Sequence, residues 1–581
     1  MRYIIGIDVG GTNTNACLLV IDQGGQGHVL KMAKAPTRHE DLFTSTRQAL
    51  AEISDEISSA DCRDLEIHLS TTLITNAIVE GKGDPVATII TTGPGLAPEA
   101  MGFAFPVSLV GGVIDHRGRE TAPLVMDEVR SALKAAVDQG ARAVAVVGKF
   151  SPRNPGHELA IEDLIQQEFP GLYPPTLGHR LSGRLNFPRR VNTCYLNAKV
   201  ARLQREFIDR IRDTLLWELA ALSARTGQEA QKTRLRVFLL KADGGTIEME
   251  KAVNRPVETI LSGPAASVMG ALALTEPSES CVVVLDIGGT TTDIAVLVGG
   301  KPLAEKDGAV VGGFKTLVPA FFSRSIGLGG DSTVSYQEGR IKIGPTRAGT
   351  AAALGGDALT PTDAIVLTEQ GSFGDYQRAL TVLENFSRNT GGSPRELAEE
   401  IHQAFCEQAV AAINGIFADL NSCPVYTVSE VLVPRGLKPE KIIGLGGPAA
   451  FYIPRIAHLL GVPYEVLPYY EGANAVGAAA SRPTAAITLR ADTALGKVTI
   501  PELDQVTDLA RPALFDRRKA EQLALESARG YAEKIGAYYP EAQFEVDEEE
   551  VFNMVRGFYT VGKLFTMKAQ VKPDVIKVVP K

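Results

Sequence analysis

The 581-residue chain is poor in the residues that staple, anchor or charge a protein. Its six cysteines, Cys17, Cys62, Cys194, Cys281, Cys406 and Cys423, are scattered without a CxxC pair. That spacing excludes a disulfide scaffold, gives no zinc or iron–sulfur pattern, and suits reduced thiols in a cytoplasm. No apolar run reaches the roughly 18 residues of a membrane span. The N-terminus, MRYIIGID, enters a strand at once and lacks the layout of a signal peptide. Aromatics make up 6% of the chain and the net charge is −9, so no basic stripe with interleaved aromatics exists to bind nucleic acid. An anionic ligand must therefore be gripped locally, by glycine loops and helix ends. The P-loop pattern GxxxxGK[ST] is also missing, which excludes that class of nucleotide enzyme.

What the chain does contain is an internal repeat. Residues 5–20, IGIDVGGTNTNACLLV, return 278 positions later as VVLDIGGTTTDIAVLV at 283–298. Each copy is a short β-branched run ending in Asp, then Gly-Gly-Thr, a further Thr, and a second apolar run. This predicts two β-hairpins with tight glycine tips. Glycine lets backbone N–H groups approach a phosphate, and threonine donates to its oxygens. The tips offer Gly10, Gly11, Thr12 and Thr14 on one side, and Gly288, Gly289, Thr290, Thr291 and Thr292 on the other. A carboxylate cannot bind phosphate directly, so Asp8 and Asp286 are expected to act through a metal ion or water. Two such tips across a cleft would clamp a nucleoside triphosphate.

Strand-like and helical runs alternate up to about residue 485, the pattern of an α/β protein. The spacing predicts a helix over 43–59, strands at 86–91 and 143–148, and one long amphipathic helix or two over 191–225. Leu196, Val200, Leu203, Phe207, Ile211 and Leu215 form that helix's apolar stripe. A second series opens at Arg236–Lys241, and a helix is expected over 395–420. From 483 the texture changes, and SRPTAAITLRADTALGKV reads as a linker. Residues 516–581 read as a small α/β cap, with a helix at 517–535, strands near 550–580, and the acidic run 545–550 as a solvated edge. The expected divisions are 1–190, 191–485 and 486–581, with ligand in a cleft between the two similar lobes.

Two further glycine segments complete the set. KIIGLGGPAA (441–450) is a strand running into Gly444, Gly446 and Gly447, a turn that could lie flat against a purine or ribose. EGANAVGAAA (471–480) is a small-residue helix suited to close packing or a hinge. Ser262 either caps its helix or aims it at an anion. Asp243-Gly244-Gly245 is either a turn or a turn with a ligand-facing carboxylate. Thr72, Asn76 and Glu80 share one face of a helix, lining a pocket or facing water. His157 and His179 read as structural.

The order of hairpin, hairpin, GLGG turn and small-residue helix resembles the actin, Hsp70 and sugar-kinase superfamily. Narrower motifs resemble the hydantoinase A and 5-oxoprolinase family. These are STTLITNAIVEGKG (70–83), SPRNPGHE (151–158), GHRLSGRLNFPRRVNTCYLNAKV (178–200), the DGG…PVET…SGPAA block of 239–271, and SRSIGLGGDS (323–332) with Gly329, Gly330 and Asp331. The resemblance covers residues 1 to about 485. It implies two ribonuclease H-like domains around an ATP cleft, with a small C-terminal α/β region. It further implies ATP with Mg²⁺ or another divalent metal on Asp8 and Asp286, and Asp293 orienting the acceptor or a metal-bound water. Thr72, Asn76, Glu80, Asp243, Ser262 and Asp331 become candidate substrate contacts. The implied reaction is phosphorylation of a cyclic-amide carbonyl to permit ring opening, together with a hydantoinase B-like partner subunit. An acetone- or acetophenone-type carboxylase subunit and a non-enzymatic ATP switch are the alternatives. One departure stands out: Asn15 occupies the first-hairpin position where the second copy has Asp293.

Overall fold

The two glycine hairpins seed two separate sheets in the computed structural model, which describes residues 2–37, 42–58, 64–95, 101–226, 234–278, 280–305, 307–369, 371, 373–422, 436–556, 558–572 and 574–579. In the first sheet, strand Arg2–Val9 pairs antiparallel with Asn13–Ile21 and parallel with Asp64–Thr71. In the second, Val282–Ile287 pairs antiparallel with Thr292–Val298 and parallel with Lys441–Leu445. Each hairpin thus sits at the same place in the same pairing scheme. The β-branched runs are buried because they lie mid-sheet: Ile4, Ile5 and Ile7, and Val283, Leu285 and Ile287, are each at most 1% exposed. These are two ribonuclease H-like lobes of the actin, Hsp70 and sugar-kinase kind.

Chain order and lobe membership differ. The first sheet takes in strands Arg234–Leu240 and Thr246–Glu248, so the expected boundary at residue 190 does not divide the layers. The reason is a crossover. Residues between the first lobe's two halves build a separate sheet of four parallel-paired strands, Ser108–Val110, Val86–Thr91, Ala143–Gly148 and Thr176–Leu177. A single 40-residue helix, Phe187–Thr226, then leads back to the first sheet. Its apolar stripe serves two cores: Leu196 and Val200 pack with Ile74 and Ile260, whereas Phe207, Ile211 and Leu215 lie beneath the first sheet.

The lobes share a core around two helices, Ser262–Leu274 and Ala473–Ala480. Their small residues are required by proximity. A Cβ on Gly477 would meet the Ala266 carbonyl and stand 2.9 Å from the Gly270 Cα, and one on Gly6 would stand 2.7 Å from the Ala479 nitrogen. The packing role expected for 471–480 is thus met.

The segment read as a linker is instead the middle of a sheet. Ala486–Asp492 lies between Lys497–Ile500 and Tyr559–Val571, with Gln505–Asp508 and Phe544–Arg556 at the edges. Ile487, Leu489 and Ala491 alternate inward against helix Arg517–Lys534, which approaches closely through Ala520, Ala524, Ala528 and Ala532. A short period-two strand with small apolar residues resembles loop composition, which is why it was missed. The acidic run lies on an edge strand, where Asp547 and Glu548 pair with Lys568 and Glu549 with Arg517. Cys17, Cys194, Cys281 and Cys406 are free buried thiols, and Cys62 and Cys423 lie outside the described residues. Among the described residues, no helix is long and apolar enough to cross a membrane.

Candidate functional site

The two hairpins close with the same bond. The Gly10 N–H donates to the Asn13 carbonyl at 3.1 Å, and the Gly288 N–H to the Thr291 carbonyl at 2.9 Å. Register then fixes which side chains face the cleft. Asp8 stands directly opposite Asn15, and Asp286 opposite Asp293, so each strand pair presents both polar groups on one face. The tips meet, with Thr12 Oγ1 3.5 Å from Thr290 Oγ1. A Cβ on Gly289 would lie 2.9 Å from Thr12 Oγ1 and 3.0 Å from Asp331 Oδ2, so this glycine is demanded by the close approach of the lobes.

The carboxylates are held in unfavourable surroundings. Burial raises the Asp8 pKa to about 7, opposed by the nearby Ser70 hydroxyl and reinforced by repulsion from Asp286 and Asp293. Burial and the Asp286 charge raise Asp293 to about 7 as well. Asp286 is raised by burial, although Ser267 Oγ donates to it at 2.5 Å. Buried like charges with opposed tasks mark functional sites more often than structural ones.

Alternation along the strands turns two of the expected ligands to the other face. Thr14 and Thr292, equivalent positions in the repeat, point away from the tips. Thr14 Oγ1 lies 3.0 Å from Thr37 Oγ1, and Thr292 Oγ1 donates to the Leu328 carbonyl at 2.6 Å. Gly329 and Gly330 brace the second hairpin instead of offering free N–H groups. The Gly330 and Asp331 N–H groups donate to the Gly288 and Gly289 carbonyls at 3.0 and 2.6 Å, and the Gly329 N–H donates to Ser332 Oγ at 2.8 Å. Asp331 reaches the tips and accepts from Arg347 Nη2 at 2.9 Å. In the GLGG turn, Gly446 has φ +93° and packs on the second hairpin, where a Cβ would stand 2.7 Å from Asp286 Oδ1. Gly447 faces the first lobe, with Lys34 Nζ 3.8 Å from where its Cβ would be. Gly444 makes room for Ile453 of the following helix, a packing role.

The other expected substrate contacts do not converge. Asn76 and Glu80 face solvent, with Asn76 Nδ2 3.4 Å from Thr72 Oγ1 and Glu80 paired with Lys82. Ser262 Oγ donates to the Thr71 carbonyl and accepts the Thr71 N–H, so it ties its helix to the first sheet. Asp243 accepts the Gly245 N–H at 3.0 Å and pairs with Lys241 at 3.1 Å, the plain turn reading. His157 bonds Glu120, and His179 bonds Glu158 and Asp504.

Sequence reasoning missed the residues that hold the carboxylates. Asn474 Nδ2 donates to Asp8 Oδ2 at 2.5 Å, and its Oδ1 accepts from Asn15 Nδ2 at 3.3 Å. Asn15 thus joins Asp8 through an amide bridge, a place where a second carboxylate would find no donor. Asn474 and Ser267 are polar residues on small-residue helices, and that incongruity was the available clue.

A divalent cation fits these residues. Asp8 Oδ1 is buried and has no hydrogen-bond partner, so it is an oxygen that a cation or its water would satisfy. Among the described residues, no three His, Cys, Asp or Glu side chains gather to cage an ion.

Similarity to known proteins agrees with this geometry. Residues 4–169 match the hydantoinase/oxoprolinase N-terminal region, and residues 190–487 match hydantoinase/oxoprolinase. The chain is 27% identical to caprolactamase subunit alpha of Pseudomonas jessenii, over 80% of this chain and 68% of that one. It is 26% identical to the acetophenone carboxylase gamma subunit of Aromatoleum aromaticum, over 76% of this chain and 62% of that one. It thus spans about two thirds of the length of both relatives. In fold, it superposes on the ATP-dependent caprolactamase of Pseudomonas jessenii with TM-score 0.67 at 21% identity, covering 99% of this chain and 88% of the other. A nucleotide-free acetone carboxylase gives TM-score 0.66 at 18% identity, covering 99% and 88%. With its two halves matched in order and its paired hairpins in place, the chain belongs to the hydantoinase/oxoprolinase family.

Proposed function

We propose that this chain is the ATP-using subunit of a cyclic-amide hydrolase, which phosphorylates a lactam or hydantoin carbonyl so that water can open the ring. The observation that carries this reading is the pair of touching tips, Thr12 against Thr290, backed by Asp8, Asp286 and Asp293. An unstrained five-membered amide opens reluctantly in water. Attack of its oxygen on the γ-phosphorus releases ADP and leaves an imidate-like phosphate ester. Water then adds at carbon and phosphate departs.

Such a transfer is governed by positioning and electrostatics. Thr12, Thr290 and the tip N–H groups of Gly11 and Gly289 would hold the terminal phosphate oxygens. Asp8 and Asp286 would hold Mg²⁺, which when bound neutralises the phosphate charge. Asp293, held through Ser325, would orient the acceptor. Arg347 and Lys34, both beside the tips and paired with Asp331 and Glu471, are the nearby cations. Similarity to subunits named alpha and gamma supports a partner polypeptide, which would complete the hydrolysis.

The test is ADP formation by the chain, with and without a hydantoinase B-like subunit, against lactams, hydantoins and 5-oxoproline. A parallel series uses ketones with bicarbonate. The expected outcome is lactam- or hydantoin-stimulated ADP release matched by ring-opened product. Stimulation by ketone and bicarbonate alone would move the chain to the carboxylase reading. No stimulation by either series, with the partner present, would sink both.

A further inference from the structure

We infer that the seam between the middle sheet and the C-terminal sheet binds a small oxyanion, a carboxylate or phosphate group, between Arg153 and Arg490. This assignment is independent of what the nucleotide cleft does. Arg153 belongs to SPRNPGHE, a motif that the cleft leaves unused. Arg490 projects from Ala486–Asp492 on the face opposite the helix, with Thr499 and Thr566 as its neighbours on the flanking strands. Thr499 Oγ1 lies 3.5 Å from the Arg153 carbonyl, so loop and sheet touch here.

Three polar groups at this place are left without partners. Arg153 Nε, Arg490 Nε and Thr566 Oγ1 are all buried and unbonded. Among the described residues, neither guanidinium donates a hydrogen bond or forms an ion pair. The seam's other charges are arranged differently: His179 bonds Asp504 at 2.6 Å, Arg180 bonds Asp504 at 2.9 Å, and Arg184 pairs with Glu548. The carboxylates nearest the two arginines are committed or remote. Asp115 caps its own loop through the Arg117 and Arg119 N–H groups and Asp492 caps a turn through Ala494 and Leu495, so both offset the Arg153 charge without bonding it, and Glu550 likewise acts on Arg490 from a distance. Arg117 adds a third cation along the seam, its Nη2 meeting Met554 Sδ at 3.5 Å.

Two half-buried guanidiniums, each with a buried Nε–H that bonds nothing, are costly, since those donors have lost water without gaining an acceptor. The burial and mutual repulsion bring the Arg490 pKa down to about 10. A carboxylate or phosphate oxygen is the acceptor that the two unbonded Nε–H groups and the Thr566 hydroxyl lack.

The experiment measures the melting temperature of the full chain in chloride, acetate, bicarbonate and phosphate at matched ionic strength, with calorimetric titration of the same anions. Binding is expected to raise the melting temperature in at least one oxyanion and to be saturable; which anion acts separates carboxylate from phosphate chemistry. Arg490→Met should abolish that rise while leaving the chloride melting temperature unchanged or higher, because it removes one of two repelling charges. Arg153→Met should behave alike, and it stands in if the first variant fails to fold. Equal melting in all four salts with no titration heat would overturn the proposal. So would a fall in the chloride melting temperature of both variants, which would mark the arginines as structural.

Discussion

Asp293 is where stability and activity should separate. It is half-buried, its pKa is raised to about 7 by its burial and by Asp286, and Ser325 opposes that shift. A half-buried carboxylate in these surroundings is costly to keep charged. Asp293→Asn removes the repulsion and should stabilise the protein by about 0.5–2 kcal/mol, seen as a higher melting temperature. The same change should lower substrate-stimulated ATP turnover about 10²-fold or more. His179 tests the opposite case, a buried charge that is structural. Its pKa is raised to about 9: burial lowers it, and the Glu158 and Asp504 charges and hydrogen bonds outweigh burial. A folded value above the unfolded value of about 6.5 means the stabilisation is complete below pH 6.5 and is lost as pH rises through about 9. His179→Gln leaves Glu158 buried without its cation and should cost about 3–5 kcal/mol near neutral pH. Melting curves of both proteins between pH 6 and 10 should converge at the alkaline end.

At the scale of elements, the central helix pair sets a packing limit. Gly477→Val would drive a branched side chain into the Ala266 carbonyl and the Gly270 backbone. Overpacking of this kind costs about 1–3 kcal/mol, and here it would also push the lobes apart, so denaturant midpoint and ATP turnover should fall together. The repeat made both hairpins legible, because a period-two run broken by Gly-Gly has few other structures. Motif reading treats all the tip threonines alike, whereas strand alternation puts Thr14 and Thr292 on the face opposite Asn15 and Asp293. The Ala486–Asp492 strand was illegible for another reason. Its partner, Tyr559–Val571, lies about seventy residues onward, and the small alanines that fit it to its helix carry little hydrophobic signal. The resemblance puts Gly329 and Gly330 among the cofactor-binding residues, and a glycine turn reads alike in sequence whether it cradles a ligand or, as here, another backbone.

For the whole molecule, the decisive relation is between lobes that are far apart in sequence and touch at their tips. Thr12 and Thr290 come from separate sheets, yet their hydroxyls are 3.5 Å apart. A triphosphate held between the tips therefore requires the lobes to part, a hinge motion about the shared core of Ser262–Leu274 and Ala473–Ala480. That requirement can be locked. Thr12→Cys with Thr290→Cys places two thiols within reach of a disulfide, while Cys17, Cys194, Cys281 and Cys406 are buried and poor competitors. Oxidation of the double variant should abolish nucleotide binding, measured by fluorescence of a labelled ATP analogue, and dithiothreitol should restore it. Each single variant should bind in both redox states. If the cross-linked protein formed its disulfide quantitatively and still bound nucleotide at full affinity, the nucleotide would lie outside the tips, and the clamp on which the hydrolase reading stands would have to be given up.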